Sequence, residues 1–267
     1  MVESFKTALR ESNMAENTIS AYLYAVNDYF SKYRTLNKRN LLLYKASVIE
    51  LFKPKTVNLR IQALNKFLEH VGKPKLRLKS VKVQQRTYLE NVISQADYLF
   101  LKRKLKQEEN LMWYFVVRFL TATGARVSEL IQIKVEHVRI GYFDIYSKGG
   151  KVRRLFIPKS LREESEKWFE KIGQTTGYIF RNRFGERITT RGIAQQLKNY
   201  AERYGLNTNV VYPHSFRHRY AKNFLEAFND IALLADLMGH ESIETTRIYL
   251  RRTASEQQAI VDKVITW

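Results

Sequence analysis

Pro213-His214-Ser215-Phe216-Arg217-His218 is the stretch on which the reading of this chain turns, together with Leu237-Met238-Gly239-His240 and Thr245-Thr246-Arg247-Ile248-Tyr249-Leu250 downstream. Pro213 suits the first turn of a helix, where its missing N–H removes nothing. His214 and Arg217 are three apart and so share a helix face. A helix N-terminus that carries a cation and an imidazole on one face suits a phosphate. Gly239 stops the next helix and leaves His240 at a corner. Ser242 then caps a surface segment that carries Tyr249.

Working outward, the same kind of chemistry recurs upstream. Leu111 to Leu120 is almost wholly apolar, which predicts a buried helix ended by Gly124. Arg126 follows at once on that rigid base, and Ser128 is expected to cap a helix beginning at Glu129. Residues 142–157 change period: Tyr142, Phe143, Ile145 and Tyr146 precede Lys148-Gly149-Gly150-Lys151, and Val152, Leu155, Phe156 and Ile157 follow. That pattern predicts a β-hairpin with a glycine turn and Lys148 at its tip.

In this order the segments resemble the boxes of the tyrosine recombinase (phage integrase) family, Xer-like or simple integrase members above all. Thr123 to Leu130 is similar to its first arginine box, and Asp144 to Lys151 to its hairpin lysine. His214 to His218 is similar to its His-x-x-Arg box, and Leu237 to His240 to its Leu-Gly-His box, with Met238 where Leu is usual. Thr245 to Tyr249 is similar to the nucleophile segment. The resemblance implies a catalytic set of Arg126, Lys148, His214, Arg217, His240 and Tyr249. It implies a mainly α fold with a small β-sheet or hairpin, arranged as a two-domain DNA clamp. A helical core-binding domain with a basic linker is expected over 1–86. The tyrosine recombinase catalytic domain is expected over 87–267, its C-terminal tail docking on a neighbouring protomer. Double-stranded DNA is the implied partner, bound by a homo-tetramer on two DNA sites, with accessory DNA-bending or partner recombinase proteins beside it.

The residues agree with that chemistry. Attack on a phosphodiester builds negative charge on its non-bridging oxygens. Arg126 and Arg217 are permanent, planar cations able to bind them, with His240 as a third donor. Tyr249 is the expected nucleophile, His214 its base and Lys148 the acid for the leaving 5′-oxygen. His218 is read as a helper or hydrogen-bond partner, and Glu129 as a group that orients Arg126 or Lys148. The product would be a 3′-phosphotyrosyl link. No carboxylate cluster suggests Mg²⁺ and no Walker-type loop suggests ATP, so neither metal nor cofactor is expected. The rivals are a type IB topoisomerase, a non-catalytic DNA-binding protein on the same fold, and a metal-dependent nuclease.

Composition points the same way. The 267 residues carry 46 Lys and Arg against 26 Asp and Glu, a formal charge of +20 that favours a polyanionic partner. The charge is densest at the front: residues 1–86 hold 17 basic and 6 acidic residues, and Lys73 to Arg86 holds six basic and no acidic ones. That last stretch reads as an extended linker that lies along phosphates. There is no cysteine, hence no disulfide and no thiolate site. No apolar run reaches the roughly 20 residues of a membrane span, and no signal-peptide core is evident at the start. A cytoplasmic protein is expected.

Residues 1–72 read as helices. One opens at Glu16 with Ile19, Tyr22, Leu23, Val26 and Tyr29 at helical spacing. A second runs from Leu41 to Phe52 and a third from Lys55 to Val71. Residues 160–172 predict an exposed amphipathic helix. Thr189 and Thr190 predict the cap of another that runs to Tyr204 and ends at Gly205.

Overall fold

A computed structural model describes residues 1–83, 91–146, 152–250, 258 and 261–265. The chain divides into two compact units, Met1–Gln85 and Arg86–Trp267. The first is helical: α1 (Val2–Glu11), α2 (Glu16–Lys32), α3 (Lys38–Leu51) and α4 (Pro54–His70). Asn37 caps α3 by accepting from the Asn40 N–H, and Pro54 opens α4. Helical spacing brings Ile19, Val26 and Tyr29 of α2 against Val57, Ile61, Leu64 and Leu68 of α4, with Leu41 and Val48 of α3 completing the core.

The basic stretch after α4 is not a loose linker over its described length. Asn65 accepts from the Leu78 N–H at 2.8 Å and donates to the Leu78 carbonyl at 2.9 Å. Asn58 treats Val81 the same way, at 2.8 and 3.0 Å. Leu78 is buried between them. Two asparagines on one face of α4, about two turns apart, thus strap residues 77–82 along the helix, as a strand would pair. Their basic side chains stand outward: no ion pair is present for Lys79 or Lys82 among the described residues, while Arg77 is held by Glu69.

The second unit is built on α6 (Leu111–Thr123), which is buried along most of its length. Its one charge, Arg118, is matched by Glu164, which also accepts from Tyr114 at 2.6 Å. Around it lie α5 (Gln95–Gln107), α7 (Val127–Leu130), α8 (Val135–Ile140), α9 (Lys159–Ile172) and α10 (Thr190–Arg203). Then come α11 (Pro213–Ala227), α12 (Ile231–Met238), α13 (Ile243–Thr246) and a 3₁₀ turn, Arg247–Leu250. The 159–172 helix is not simply exposed: Leu161, Trp168 and Phe169 seat it on the core, Trp168 stacked on Phe115. Strands β1 (Tyr142–Tyr146) and β2 (Val152–Phe156) form the antiparallel hairpin, with Tyr142 opposite Phe156 and Tyr146 opposite Val152. The mainly helical class with one small sheet is as the sequence predicts. Ser215 and Arg219 of α11 clamp the N–H and carbonyl of Ile93, so the start of this unit is tied to the helix that carries the site. No helix of the described residues is long and apolar enough to cross a membrane.

Candidate active site

Four segments deliver the site, each carrying a residue that sequence alone marks: Arg126 at the start of α7, Arg217 within α11, His240 just after α12 and Tyr249 in the 3₁₀ turn. Helix α6 stops at Gly124, whose φ of +63° is the left-handed turn that glycine tolerates. A Cβ there would run into the ring of Tyr220 on α11, so glycine also allows the close approach of the two helices. Arg126, not Ser128, is the N-cap of α7. The Glu129 carboxylate accepts from the Arg126 N–H at 2.7 Å, closing a box in which the acid lies three residues in. The expectation of a Ser128 cap fails because that box places the turn two residues earlier.

Arg217, on the second turn of α11, is 1% exposed. Its guanidinium donates to the carbonyls of Gly124 at 2.5 Å and Met238 at 2.6 Å, and Nη2 lies 3.1 Å from His240 Nε2. Among the described residues its Nε has no hydrogen-bond partner. Burial, with Arg126 nearby, pulls Arg217 down to about 10, which still leaves it cationic at neutral pH. Arg126 is more open, with 42% of its side chain exposed, and reaches Glu129 at 2.9 Å and the Gly239 carbonyl at 3.3 Å. Beside it a cleft of about 630 Å³ is lined by Arg126, Arg153, Arg154, Gly239 and His240.

His240 follows the left-handed Gly239 that ends α12. Burial and the neighbouring Arg217 and Arg126 bring it down to about 4, so the ring is neutral. Arg217 only donates; His240 therefore accepts at Nε2 and carries its proton on Nδ1, 2.8 Å from Thr246 Oγ1. Its use as a donor to phosphate requires a second proton on the ring.

Tyr249 is not on the surface. It is 5% exposed, in the 3₁₀ turn after α13, whose N-cap is Ser242. Its ring lies parallel to His240, centroids 6.3 Å apart. Burial raises its pKa, while Arg217 and Arg126 pull the other way. The phenol oxygen is 3.1 Å from Nδ1 of His218. His218 is brought down to about 3, chiefly by burial and then by His214 and Arg217, so its neutral ring accepts from the phenol. His214, one turn earlier, packs edge-on against His218 at 4.4 Å. It stands on the exposed side of α11, with no hydrogen bond to Tyr249 among those present.

The structure therefore brings Arg126, Arg217, His240 and Tyr249 together, with His214 at the rim. It sets His218 on the phenol and Glu129 on Arg126, the two supporting places read for them in sequence, and adds Thr246 on His240 and Arg153 on Glu129. Adjacency of His218 to Arg217 is a sequence signal for the first; for Thr246 and Arg153 the sequence offers none. Lys148 lies outside the described residues, as does most of the Ala254–Trp267 tail. Among the described residues, no group of three or more His, Asp or Glu side chains is placed to hold a metal ion.

Residues 94–256 match the phage integrase family. Tyrosine recombinase XerA of Pyrococcus furiosus is 27% identical over 98% of this chain and 93% of its own length. Tyrosine recombinase XerC of Roseiflexus castenholzii is 31% identical over 93% of this chain and 87% of its own. Among solved structures, XerH site-specific recombinase bound to its palindromic difH substrate shares the fold at a TM-score of 0.72 and 18% identity, covering all of this chain and 85% of that one. A lambda integrase dimer bound to a core site does so at 0.74 and 15% identity, over 93% of this chain and 75% of that one. With the family's match spanning most of the chain and the site's geometry in hand, the protein belongs to the phage integrase family, the tyrosine recombinases.

Proposed function

We propose that this protein is a site-specific DNA recombinase that cuts and rejoins strands through a 3′-phosphotyrosyl intermediate. Arg217 and Arg126 hold the non-bridging oxygens of the scissile phosphate; their charge opposes what develops during attack. The Tyr249 oxygen attacks phosphorus, the P–O5′ bond breaks, and Lys148 gives a proton to the departing 5′-oxygen. The phenol proton passes to the histidine pair, His214 serving as base and His218 holding the phenol beforehand. The phosphate's negative charge offsets the two arginines and lets His240 take a second proton, turning its Nε2 from acceptor to donor. A second 5′-hydroxyl reverses the step on a new strand, so no ATP is consumed.

The observation that carries this reading is the buried Tyr249 phenol, hydrogen-bonded to His218 and flanked by Arg217 and His240. The N-terminal unit, with its basic strap, is assigned to the other face of double-stranded DNA. Assembly as a tetramer on two sites, with the tail docked on a neighbour and accessory proteins setting direction, belongs to the same reading, as does work in the cytoplasm. Incubation with a library of nicked duplexes in EDTA, followed by denaturation, tests it. A covalent adduct that maps to Tyr249 and vanishes in Tyr249→Phe is the expected result. Cleavage without a tyrosine adduct, or one at another tyrosine, would refute it.

A further inference from the structure

Arg153 sits on β2 with 9% of its side chain exposed, and its partners come from two other parts of the site. Nη2 meets Glu129 Oε2 at 2.5 Å, and Nη1 donates to the Leu237 carbonyl at 2.6 Å. Its aliphatic stem lies on Gly239: a Cβ at that glycine would meet Arg153 Cδ and Nε. Glu129 in turn holds both the N–H and the guanidinium of Arg126, and Gly239 precedes His240. One side chain thus ties the hairpin to the Arg126 box and to the His240 turn. Lys148 lies five residues earlier in the same hairpin sequence.

We propose that Arg153 is a positioning residue for strand cleavage: it takes up the charge of Glu129, so that Arg126 is held in place yet left available to phosphate, and it seats the turn that carries His240. The proposal rests on the reading of Arg126 and Tyr249 given above. The charge relations support it. Burial alone would raise the Glu129 carboxyl, but Arg153 first and the Arg126 N–H next hold it below the usual carboxylate range. Two arginines share one buried carboxylate. Without Arg153 the whole charge of Glu129 falls on Arg126 and competes with the phosphate for it.

The test uses the full chain and the cleavage site recovered by sequencing trapped adducts. DNA affinity, single-turnover cleavage and thermal midpoint are measured for Arg153→Met, Arg153→Lys, Glu129→Gln and the double variant Arg153→Met/Glu129→Gln. Arg153→Met is expected to cleave about 100-fold more slowly, with DNA affinity within about threefold, as displaced catalytic groups do. Arg153→Lys keeps the charge but not the fork and falls between. The double variant is expected to cleave faster than Arg153→Met, because neutralising Glu129 frees Arg126. A merely structural role moves none of these selectively: rate, affinity and thermal midpoint fall together, and the double variant is the worst. That outcome, or near-normal cleavage by Arg153→Met, overturns the proposal. If the unaltered protein forms an adduct on Tyr249 while Arg153→Met cleaves normally, this inference alone fails. If it forms none on Tyr249, the reading of the site fails and takes this inference with it.

Discussion

Arg60 in the N-terminal unit and Arg217 in the C-terminal unit are both buried, at 7% and 1% exposure, and both lie beside a tyrosine. Arg60 meets the carboxylate of Asp28 at 2.5 Å and the hydroxyl of Tyr44 at 3.1 Å. Tyr44 donates to the same carboxylate at 2.8 Å, and the ring of Phe52 covers the guanidinium. Among the described residues, Arg217 has two carbonyls and one neutral imidazole as partners, its Nε makes no hydrogen bond and it has no carboxylate partner. Burial opposes the charge in both places. At Arg60 the Tyr44 and Asp28 contacts outweigh it and raise the pKa, whereas at Arg217 the nearby Arg126 adds to it. A neutralised buried cation is part of a fold. An unneutralised one, beside the tyrosine proposed as nucleophile, is a place where an anion completes the electrostatics.

The sharpest way to break that comparison is to remove each arginine. Arg217→Met is expected to lower single-turnover cleavage by about 10³-fold, in line with loss of one preorganised donor to a developing oxyanion. Cleavage by Arg60→Met is expected to stay near normal once the protein is folded. That variant takes from Asp28 its buried cation and leaves it the Tyr44 hydroxyl and Lys32 at 3.5 Å, and its N-terminal unit is expected to lose about 2 kcal/mol of stability in urea unfolding, less than a fully buried pair would because Asp28 is partly solvated.

Acidity separates the two units further. His218 has a folded pKa of about 3 against an ordinary 6.5, so the unfolded chain binds the proton more readily. Stability from its neutral state is present above pH 6.5 and is lost as pH falls toward 3. The C-terminal unit is therefore expected to weaken by up to about 2 kcal/mol between pH 6.5 and 5. Asp28 is held below 3.8, so its contribution survives until pH falls under about 4. All three tryptophans, Trp113, Trp168 and Trp267, lie after residue 86, so their fluorescence follows the C-terminal unit alone while far-ultraviolet circular dichroism follows both. Equal acid sensitivity of the two signals would contradict the assignment. The smallest effect is expected from Thr246→Val, which takes away the partner of His240 Nδ1. A loss of about 10-fold in cleavage at unchanged DNA affinity is expected, as when the support of a catalytic histidine is removed.

The two regions also differ in how far sequence reveals them. The helices of the N-terminal unit follow from the spacing of Ile19, Val26, Ile61 and Leu68, because burial on one helix face leaves a periodic trace. In the C-terminal unit, Arg126, Arg217, His240 and Tyr249 were legible from their boxes, and the hairpin from its change of period. Contacts that join distant segments left no such trace. The strap held by Asn58 and Asn65 looks in sequence like a basic linker, since an asparagine does not announce which backbone it will bind. Arg153 reads as one of several hairpin cations, and only the fold brings it to Glu129 and Leu237. His218 was read as a hydrogen-bond partner without its acceptor being named, and the folded helix brings it to the phenol of Tyr249. The burial of Tyr249 was equally hidden, because its short 3₁₀ turn has too few residues to show a period.

The most direct test of the contrast is the thermal midpoint of Arg217→Met, measured beside Arg60→Met at neutral pH without DNA. If Arg217 is a buried cation held ready for phosphate, its removal relieves an uncompensated charge that offsets the two lost carbonyl contacts. The midpoint then stays level or rises while cleavage collapses. A fall as large as that of Arg60→Met would make Arg217 a structural arginine and would contradict the account.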